Sequence, residues 1–296
     1  MKKLIVISVF LFCASVINAQ QYLYQGTQVV FTCPGARGLV QWQYSSDSIS
    51  WGYINGLTGD SVSYPVQQTG YIRAEVTDGT CNPVYSSPQE FVIITFSCGD
   101  SLIDFRDNKK YPTVQIGGQC WMASSLNYGT MIQGAVSSSD NGIPEKYCYA
   151  NVPENCDVYG GMYSWAEAMD YNDTAGRQGL CPNGWHLASD EEWIVLEVAL
   201  GMDPVAAQLP NAWRGTDQGT QLKEGGSSGM NIKTGGGMWA GGGFNFAGMM
   251  NYTWTSNPYG ADYAWRRCFN VSDPTVGRWN TFPKTYGFAV RCLKNQ

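Results

Sequence analysis

The chain of 296 residues contains a single histidine, His186. Histidine is a frequent general base and the commonest metal ligand, so an enzyme or metal site here would have to be built almost without it. His186 stands between Trp185 and Leu187, three residues before a helix start, and neither a second histidine nor a cysteine thiolate completes a site with it. We interpret it as a structural residue that hydrogen-bonds the loop in place.

Charged residues are also scarce, at 14% of the chain against about 25% in a typical soluble domain. The net charge is −6, whereas nucleic acids and anionic membrane surfaces require a basic patch. The charge therefore argues against both classes of partner. What the chain has instead is 35 glycines, 11 tryptophans and 18 tyrosines, which is typical of a loop-rich, mostly β protein and is the reverse of a disordered composition.

Long hydrophobic runs are limited to the beginning of the chain. Lys2 and Lys3 precede the apolar run 4–12, and Ala19 offers a small residue for cleavage, so the pattern predicts an export signal over residues 1–19. The run is too short for a membrane span of about 20 residues, and no later segment qualifies as a transmembrane helix. We expect an exported protein that is at the cell surface, associated with the outer membrane, or extracellular.

The ten cysteines include no CxxC pair, and with one histidine a structural zinc site is disfavoured. In an exported protein, disulfides are the default interpretation. Cys13 falls inside the export signal, and acylation as a lipoprotein is the alternative, although the bulky Phe12 before it is unusual there. The other nine are an odd number, so at least one thiol is free or pairs between chains.

Residues 20–97 alternate apolar and polar positions between turn residues, which predicts an all-β domain. The predicted strands are 39–45, 61–66, 70–76 and 90–96. Cys33, Trp42 and Cys81 occur in the order seen in immunoglobulin-like sandwiches, although Gly79 stands where a tyrosine is expected. We predict an immunoglobulin-like β-sandwich that spaces or docks its neighbour.

Residues 98–296 are rich in glycine, asparagine and tryptophan, with two helix signals, at 164–171 and 189–201. In the second, Ser189 and Glu192 form the pattern of a capping box. Five ordered blocks of this region resemble the Fibrobacter succinogenes major paralogous (FISUMP) domain. They read DFRDNKKYPTVQIGGQCWMASSLNYG (104–129), CYANVPENCDVYGGMYSWAEAMDY (148–171), CPNGWHLASDEEW (181–193), GTQLKE (219–224) and KTYGFAVRCLK (284–294). Ala188 departs from the proline expected there.

The resemblance implies an α+β, C-type-lectin-like fold with two helices, a small twisted sheet and long loops that present a ligand surface. The disulfides that it suggests are Cys98–Cys120, Cys148–Cys156 and Cys181–Cys292. With Cys33–Cys81 in the first domain, Cys268 is left over as a free thiol.

The related formylglycine-generating enzymes need two reactive cysteines a few residues apart, and Cys268 has no such partner. The iron enzymes of that fold need several histidines as ligands. We therefore expect no enzyme, no catalytic residue and no resident cofactor. A cryptic enzyme of the formylglycine-generating group, or a carboxylate-pair hydrolase, stays as the alternative.

The binding hypothesis rests on aromatic and amide side chains late in the chain, because aromatic rings offer flat apolar faces with polar rims to sugars or peptides. The predicted ligand-binding residues are Trp239, Trp254, Tyr259, Tyr263, Trp265, Arg266, Arg278, Trp279 and Asn280. A glycan or a protein is the expected ligand of this loop face. The alternative is a structural subunit of an outer-surface or outer-membrane assembly.

No metal site is predicted. In RWNTFPKTYG, Thr281 replaces the aspartate of the calcium-binding Trp-Asn-Asp segment of C-type lectins, and calcium prefers several carboxylate or carbonyl oxygens. Calcium around Asp170, Asn172 and Asp173 stays open as an alternative.

Overall fold

The computed structural model describes the backbone of residues 5–8 and all of residues 21–295. The chain divides into two compact units, Met1–Phe96 and Ser97–Gln296. The predicted export signal, residues 1–19, lies outside the described residues except for that short backbone segment.

The first unit is all β in its described part. Its strands are β1 (Ile5–Ser8), β2 (Gln21–Tyr24), β3 (Gln28–Thr32), β4 (Leu39–Ser45), β5 (Gly52–Thr58), β6 (Ser61–Pro65), β7 (Gly70–Thr77), β8 (Val84–Tyr85) and β9 (Gln89–Ile94). They form one sheet in the order β1-β3-β6 and another in the order β2-β9-β7-β4-β5, with β8 beside β7. Alternate side chains of both sheets, among them Phe31, Trp42 and Ile72, are fully buried in one core, as the period of two dictates.

The expected disulfide between Cys33 and Cys81 is wrong. Cys33 is fully buried with Phe31 and Trp42 in the core of the first unit. Cys81 is exposed in a turn, where its backbone N–H donates to the carbonyl of Asp78 at 3.0 Å. Both thiols are free, because one side chain is packed inside the core and the other lies on the surface.

The second unit holds the remaining strands and the α-helices of the described part. The strands are β10 (Ser101–Asp104), β11 (Lys109–Ile116), β12 (Gln119–Met122), β13 (Thr130–Met131), β14 (Glu145–Lys146), β15 (Trp185–Leu187), β16 (Ala212–Arg214), β17 (Gly235–Met238), β18 (Phe244–Ala247), β19 (Met250–Tyr259), β20 (Tyr263–Asn270), β21 (Val276–Pro283) and β22 (Cys292–Lys294). The helices are α1 (Pro153–Tyr159), α2 (Trp165–Ala168), α3 (Asp190–Ala199), α4 (Pro204–Gln208) and α5 (Gln218–Leu222), and 3₁₀ turns lie at Tyr149–Asn151 and Ala240–Gly242.

Three sheets build this unit. The first has the strand order β10-β11-β12-β22-β15, the second has the order β16-β21-β20-β19-β17-β18, and β13 and β14 form a parallel pair. Strand β22 lies between β12 and β15, so the last strand in the chain is interior to its sheet. The long strands β19, β20 and β21 form an antiparallel meander and position most of the residues discussed below.

The predicted α+β, C-type-lectin-like fold with two helices is wrong. The structure is mostly β, with 42% strand and 13% helix, and the described part has five short α-helices. One helix signal, at 164–171, gives only the four residues of α2. The glycine-rich stretch after residue 234 forms strands β17 and β18. Glycine destabilises helices, and the alternating aromatic residues favour a β-strand.

The predicted capping box at the start of α3 is confirmed. Ser189 accepts from the backbone of Glu192, and the Glu192 carboxylate accepts from the backbone N–H of Ser189 at 2.7 Å. From this start α3 directs Trp193 into the core, where its ring lies 4.8 Å from Trp121 and 6.2 Å from Phe269, measured between centroids. The helix is thereby fixed against both large sheets.

The three disulfides that the resemblance suggested for this unit are confirmed. They are Cys98–Cys120, Cys148–Cys156 and Cys181–Cys292. Cys268 is free and buried.

Candidate ligand-binding face

One face of the six-stranded sheet carries two groups of aromatic rings with the Arg266 guanidinium between them. Trp213 on β16 pairs with Gly277 on β21, which pairs with Cys268 on β20, which in turn pairs with Tyr252 on β19. Directly paired residues of neighbouring strands project to the same side. Trp213 and Tyr252 therefore share a face, with two small residues between them.

The Trp279 ring fills the space that these small residues leave. A Cβ at Gly277 would collide with that ring, so glycine is required there. Trp279 meets Trp213 edge to face with ring centroids 5.2 Å apart, an arrangement that aromatic pairs favour. The two rings form one end of the face.

Further rings continue from there toward the glycine-rich stretch. Phe282 lies 5.7 Å from Tyr286, and Trp239 lies 5.9 Å from Tyr286 and 5.4 Å from Phe246, between ring centroids. We call the set the aromatic face: Trp213, Trp239, Phe246, Trp279, Phe282 and Tyr286. Trp213 and Phe246 are 38% and 44% exposed, and the other four are half-buried, so the ring edges and faces reach solvent.

Arg266 lies beneath the middle of the aromatic face and is only 3% exposed. Its guanidinium carbon is 3.8 Å from the centroid of the Phe282 ring and 5.8 Å from that of Trp279. In the described part of the chain its Nε has no hydrogen-bond partner, and its Nη1 contacts the sulfur of Cys268. The cation is held by π-faces, which attract it electrostatically.

Trp254 does not belong to a ligand surface, which corrects its prediction. It pairs with Arg266 across β19 and β20, but its side chain is fully buried. The segment that follows β21 covers it: the Phe288 ring lies 4.6 Å away and the Ala289 carbonyl accepts from the Trp254 backbone. Its indole N–H donates to the Tyr163 carbonyl at 3.0 Å.

Arg278 and Asn280 are also buried, and neither belongs to the aromatic face. The Arg278 guanidinium is bound to the Asp190 carboxylate at 2.5 Å and caps the Gln208 carbonyl. Asn280 is buried on β21, where its backbone N–H donates to the Asn211 side chain at 3.2 Å. Both side chains belong to the interior that supports the sheet.

Tyr259, Tyr263 and Trp265 form a separate group near the β19–β20 turn. Tyr259 and Tyr263 are exposed, and the half-buried Trp265 lies 5.7 Å from Tyr259, between centroids. The Arg278 guanidinium stacks on Trp265 at 4.0 Å. Of the predicted residues, the structure therefore brings Trp239, Arg266 and Trp279 together and places this group apart from them.

Sequence reasoning missed Trp213, Phe246 and Phe282. Trp213 is on a three-residue strand 66 positions before Trp279, so no local pattern joins them. Phe282 is displaced from simple alternation because β21 has one extra residue between Trp279 and Phe282, which pair with Arg266 and Ala264. Only the strand register brings these rings together.

His186 is held between two side chains. Its Nδ1 is 2.7 Å from Oδ1 of Asn295, and its Nε2 is 2.9 Å from Oε1 of Glu192, the capping-box residue. Burial alone would lower the pKa of His186, but the hydrogen bond and charge of Glu192 raise it above its ordinary value. Burial also raises the pKa of the Cys268 thiol, which leaves it protonated.

These features define a disulfide-containing, mostly β protein with an aromatic surface, and its disulfides indicate an exported protein. The chain belongs to the Fibrobacter succinogenes major domain family, whose model matches residues 114–294, and the FISUMP resemblance is thereby confirmed. Residues 13–96 match a second family, described as a domain of unknown function (DUF8696). No curated protein matches the chain. Within the described residues, no helix is both long and apolar enough to cross a membrane.

Proposed function

We propose that the protein is an exported recognition protein of the cell envelope that binds a glycan through the aromatic face, without catalysis. The observation that supports this is the aromatic face itself, a set of part-exposed rings from Trp213 to Phe246 with Arg266 beneath them. Sugar rings have apolar C–H faces and polar rims, and part-exposed tryptophan rings match both. Because Trp213, Phe246, Trp279 and Phe282 are on paired strands, most of the surface is preorganised for binding.

The proposal that no catalysis occurs rests on the contacts of the two most reactive side chains, His186 and Cys268. His186 is engaged by Glu192 and Asn295, and Cys268 is buried beneath Arg266. The aromatic face itself presents rings and one covered guanidinium. These groups can stack against a ligand and orient it, but they do not supply an acid and a base side by side at the surface of the aromatic face.

We further infer that the first unit is an immunoglobulin-like accessory module. Its two sheets bury one common core around Trp42, and this supports a sandwich architecture. The proposed binding activity belongs to the second unit alone.

The test is binding of the purified chain to a panel of polysaccharides and glycans, with calcium and again with a chelator. Trp239→Ala and Trp213→Ala each remove a ring of the aromatic face and are expected to weaken binding about tenfold or more, because aromatic anchors dominate such interfaces. Tyr259→Ala is the matched control, since it removes an exposed ring outside the face. A chelator is expected to change nothing.

Glycan binding that Tyr259→Ala abolishes and Trp239→Ala spares would place the site at the β19–β20 turn and overturn the assignment. A folded, disulfide-bonded protein that binds no glycan would do the same and would favour a protein ligand.

A further inference from the structure

A cavity of about 380 Å³ lies in the second unit, apart from the aromatic face. The start of β11 lines it, together with the end of α1, the loop 124–127 and residues 231–233. No aromatic-face residue is among those that line it. Its volume falls within the range of about 300–1,000 Å³ of small-molecule sites.

Arg291 lines this cavity and is a buried cation without a carboxylate partner in the described part of the chain. It is 1% exposed. Its Nη atoms donate to the carbonyls of Met122, Met230 and Asn231 at 3.0–3.1 Å. Its Nε has no acceptor among the described residues, and burial lowers the pKa of the guanidinium to about 9.

Three lysines line the same cavity, although the chain as a whole is acidic. Lys109 and Lys233 form long, part-exposed ion pairs, at 3.6 Å to Asp107 and 3.7 Å to Glu224, and Lys109 also donates to the Asn127 carbonyl. The third is Lys110, which is exposed. Cations thus outnumber anions around the cavity.

The one carboxylate among the lining residues, Asp157, does not reverse this balance. Its Oδ1 accepts from the Asn127 side chain at 3.1 Å. Behind Asn127 lies Lys146, a buried lysine that donates to the Asn127 Oδ1 at 2.7 Å. Burial and the nearby Lys109 lower the pKa of Lys146 to about 8.

We propose that this cavity binds an oxyanion, a carboxylate or a sulfate, carried on a ligand about the size of a single sugar acid. A buried guanidinium without a carboxylate partner is unfavourable, and an anion held in the cavity by the lysines would offset part of its charge. Lys110, Lys109 and Lys233 at the more exposed wall would attract and orient that anion. The volume exceeds that of a bare ion and leaves room for a ring.

The experiment is calorimetric titration of the full chain with sodium glucuronate, sodium sulfate and glucose at constant ionic strength. Glucuronate and sulfate are expected to bind, and glucose is not. Lys110→Gln and Lys233→Gln are each expected to weaken anion binding about tenfold, the value of one charge-assisted hydrogen bond. Lys294→Gln removes an exposed lysine that does not line the cavity and serves as the control.

Glucuronate binding tighter than sulfate supports a sugar acid as the ligand class, whereas equal affinities overturn the ring-sized ligand and leave a free inorganic anion. No heat with either anion at millimolar concentration, or equal affinities in the wild type and both lysine variants, overturns the proposal. Arg291→Met is expected to abolish anion binding, and the lysine variants decide the matter if that variant does not fold. Trp239→Ala is expected to retain anion affinity, so failure of this site and failure of the proposed glycan function are distinguished.

Discussion

The guanidinium of Arg267 donates from Nε to Oε1 of Glu197 at 2.6 Å, and both side chains are fully buried. The same guanidinium contacts the carboxylate of Asp190. Arg214 and Arg278 complete the network, each bound to one of the two carboxylates. Since Glu197 and Asp190 belong to α3 and the arginines to β16, β20 and β21, the network joins the helix to the sheet.

Glu197→Gln is expected to destabilise the protein by about 3–5 kcal/mol, because it leaves Arg214 and Arg267 buried with one carboxylate fewer. Urea unfolding measures the change in free energy. Glu154→Gln, at an exposed position of α1, is the control and is expected to change stability by less than about 0.5 kcal/mol. Equal losses in the two variants would contradict a structural role for the network.

The Cys181–Cys292 and Cys148–Cys156 disulfides should contribute unequally. Their sequence separations are 111 and 8 residues. A disulfide that closes a longer loop restricts the unfolded chain more. Replacing both cysteines of the long pair by serine should therefore lower the free energy of unfolding by about 4–5 kcal/mol, and replacing those of the short pair should lower it by less than about 3 kcal/mol. Urea unfolding of both oxidised variants tests the order, and a larger loss from the short pair would contradict it.

The contact between His186 and Glu192 predicts a pH dependence of stability. The pKa of His186 is raised from 6.5, so its contribution is complete below that pH and is lost as pH rises through the folded pKa. Despite burial, the hydrogen bonds from His186 and Ser189 lower the pKa of Glu192 from 4.5, so its contribution is lost as pH falls through the folded value. The pair is most stabilising between these two limits.

The measurement is urea unfolding of the wild type and His186→Asn at about pH 5.5 and about pH 8.5. The wild type should lose more stability than the variant between the two values. Identical losses would show that His186 does not titrate differently in the folded and unfolded states.

Thiol labelling should separate the three free cysteines. Cys81 is exposed and should react in the native state, whereas burial raises the pKa of Cys33 and Cys268 and shields both sulfurs. Peptide mass mapping after brief labelling locates the modified residue, and Cys81→Ser should remove the fast reaction. If Cys268 labels as fast as Cys81, the burial argument fails and the oxidase alternative is strengthened.

Local features of the fold were predictable because their cause is local. Ser189 and Glu192 are three residues apart, so their capping box is visible in the sequence. The four predicted strands of the first unit follow from alternation alone and lie within one or two residues of β4, β6, β7 and β9. The Cys33–Cys81 pairing failed because residue order does not show which cysteine enters the core.

The candidate site was predictable only in part. Strand register and the burial of a side chain by distant segments cannot be read from neighbouring residues in the sequence. Trp239 and Trp254 have the same side chain, yet Trp239 is half-buried and Trp254 is fully buried. Trp254 packs against Phe288 and hydrogen-bonds the carbonyls of Tyr163 and Ala289, which come from distant parts of the sequence. The Arg291 cavity likewise joins residues from five segments of the chain.

The interior position of β22 sets the order in which the second unit can fold. This strand separates β12 from β15 through the pairs Trp121–Leu293 and His186–Leu293, and it carries Cys292 to Cys181. Until residues 292–294 have been synthesised and have emerged, β10, β11 and β12 have no connection to β15 within their sheet. The unit therefore completes its sheet and its longest cross-link in the same late event, and a chain interrupted before Cys292 exposes two open strand edges.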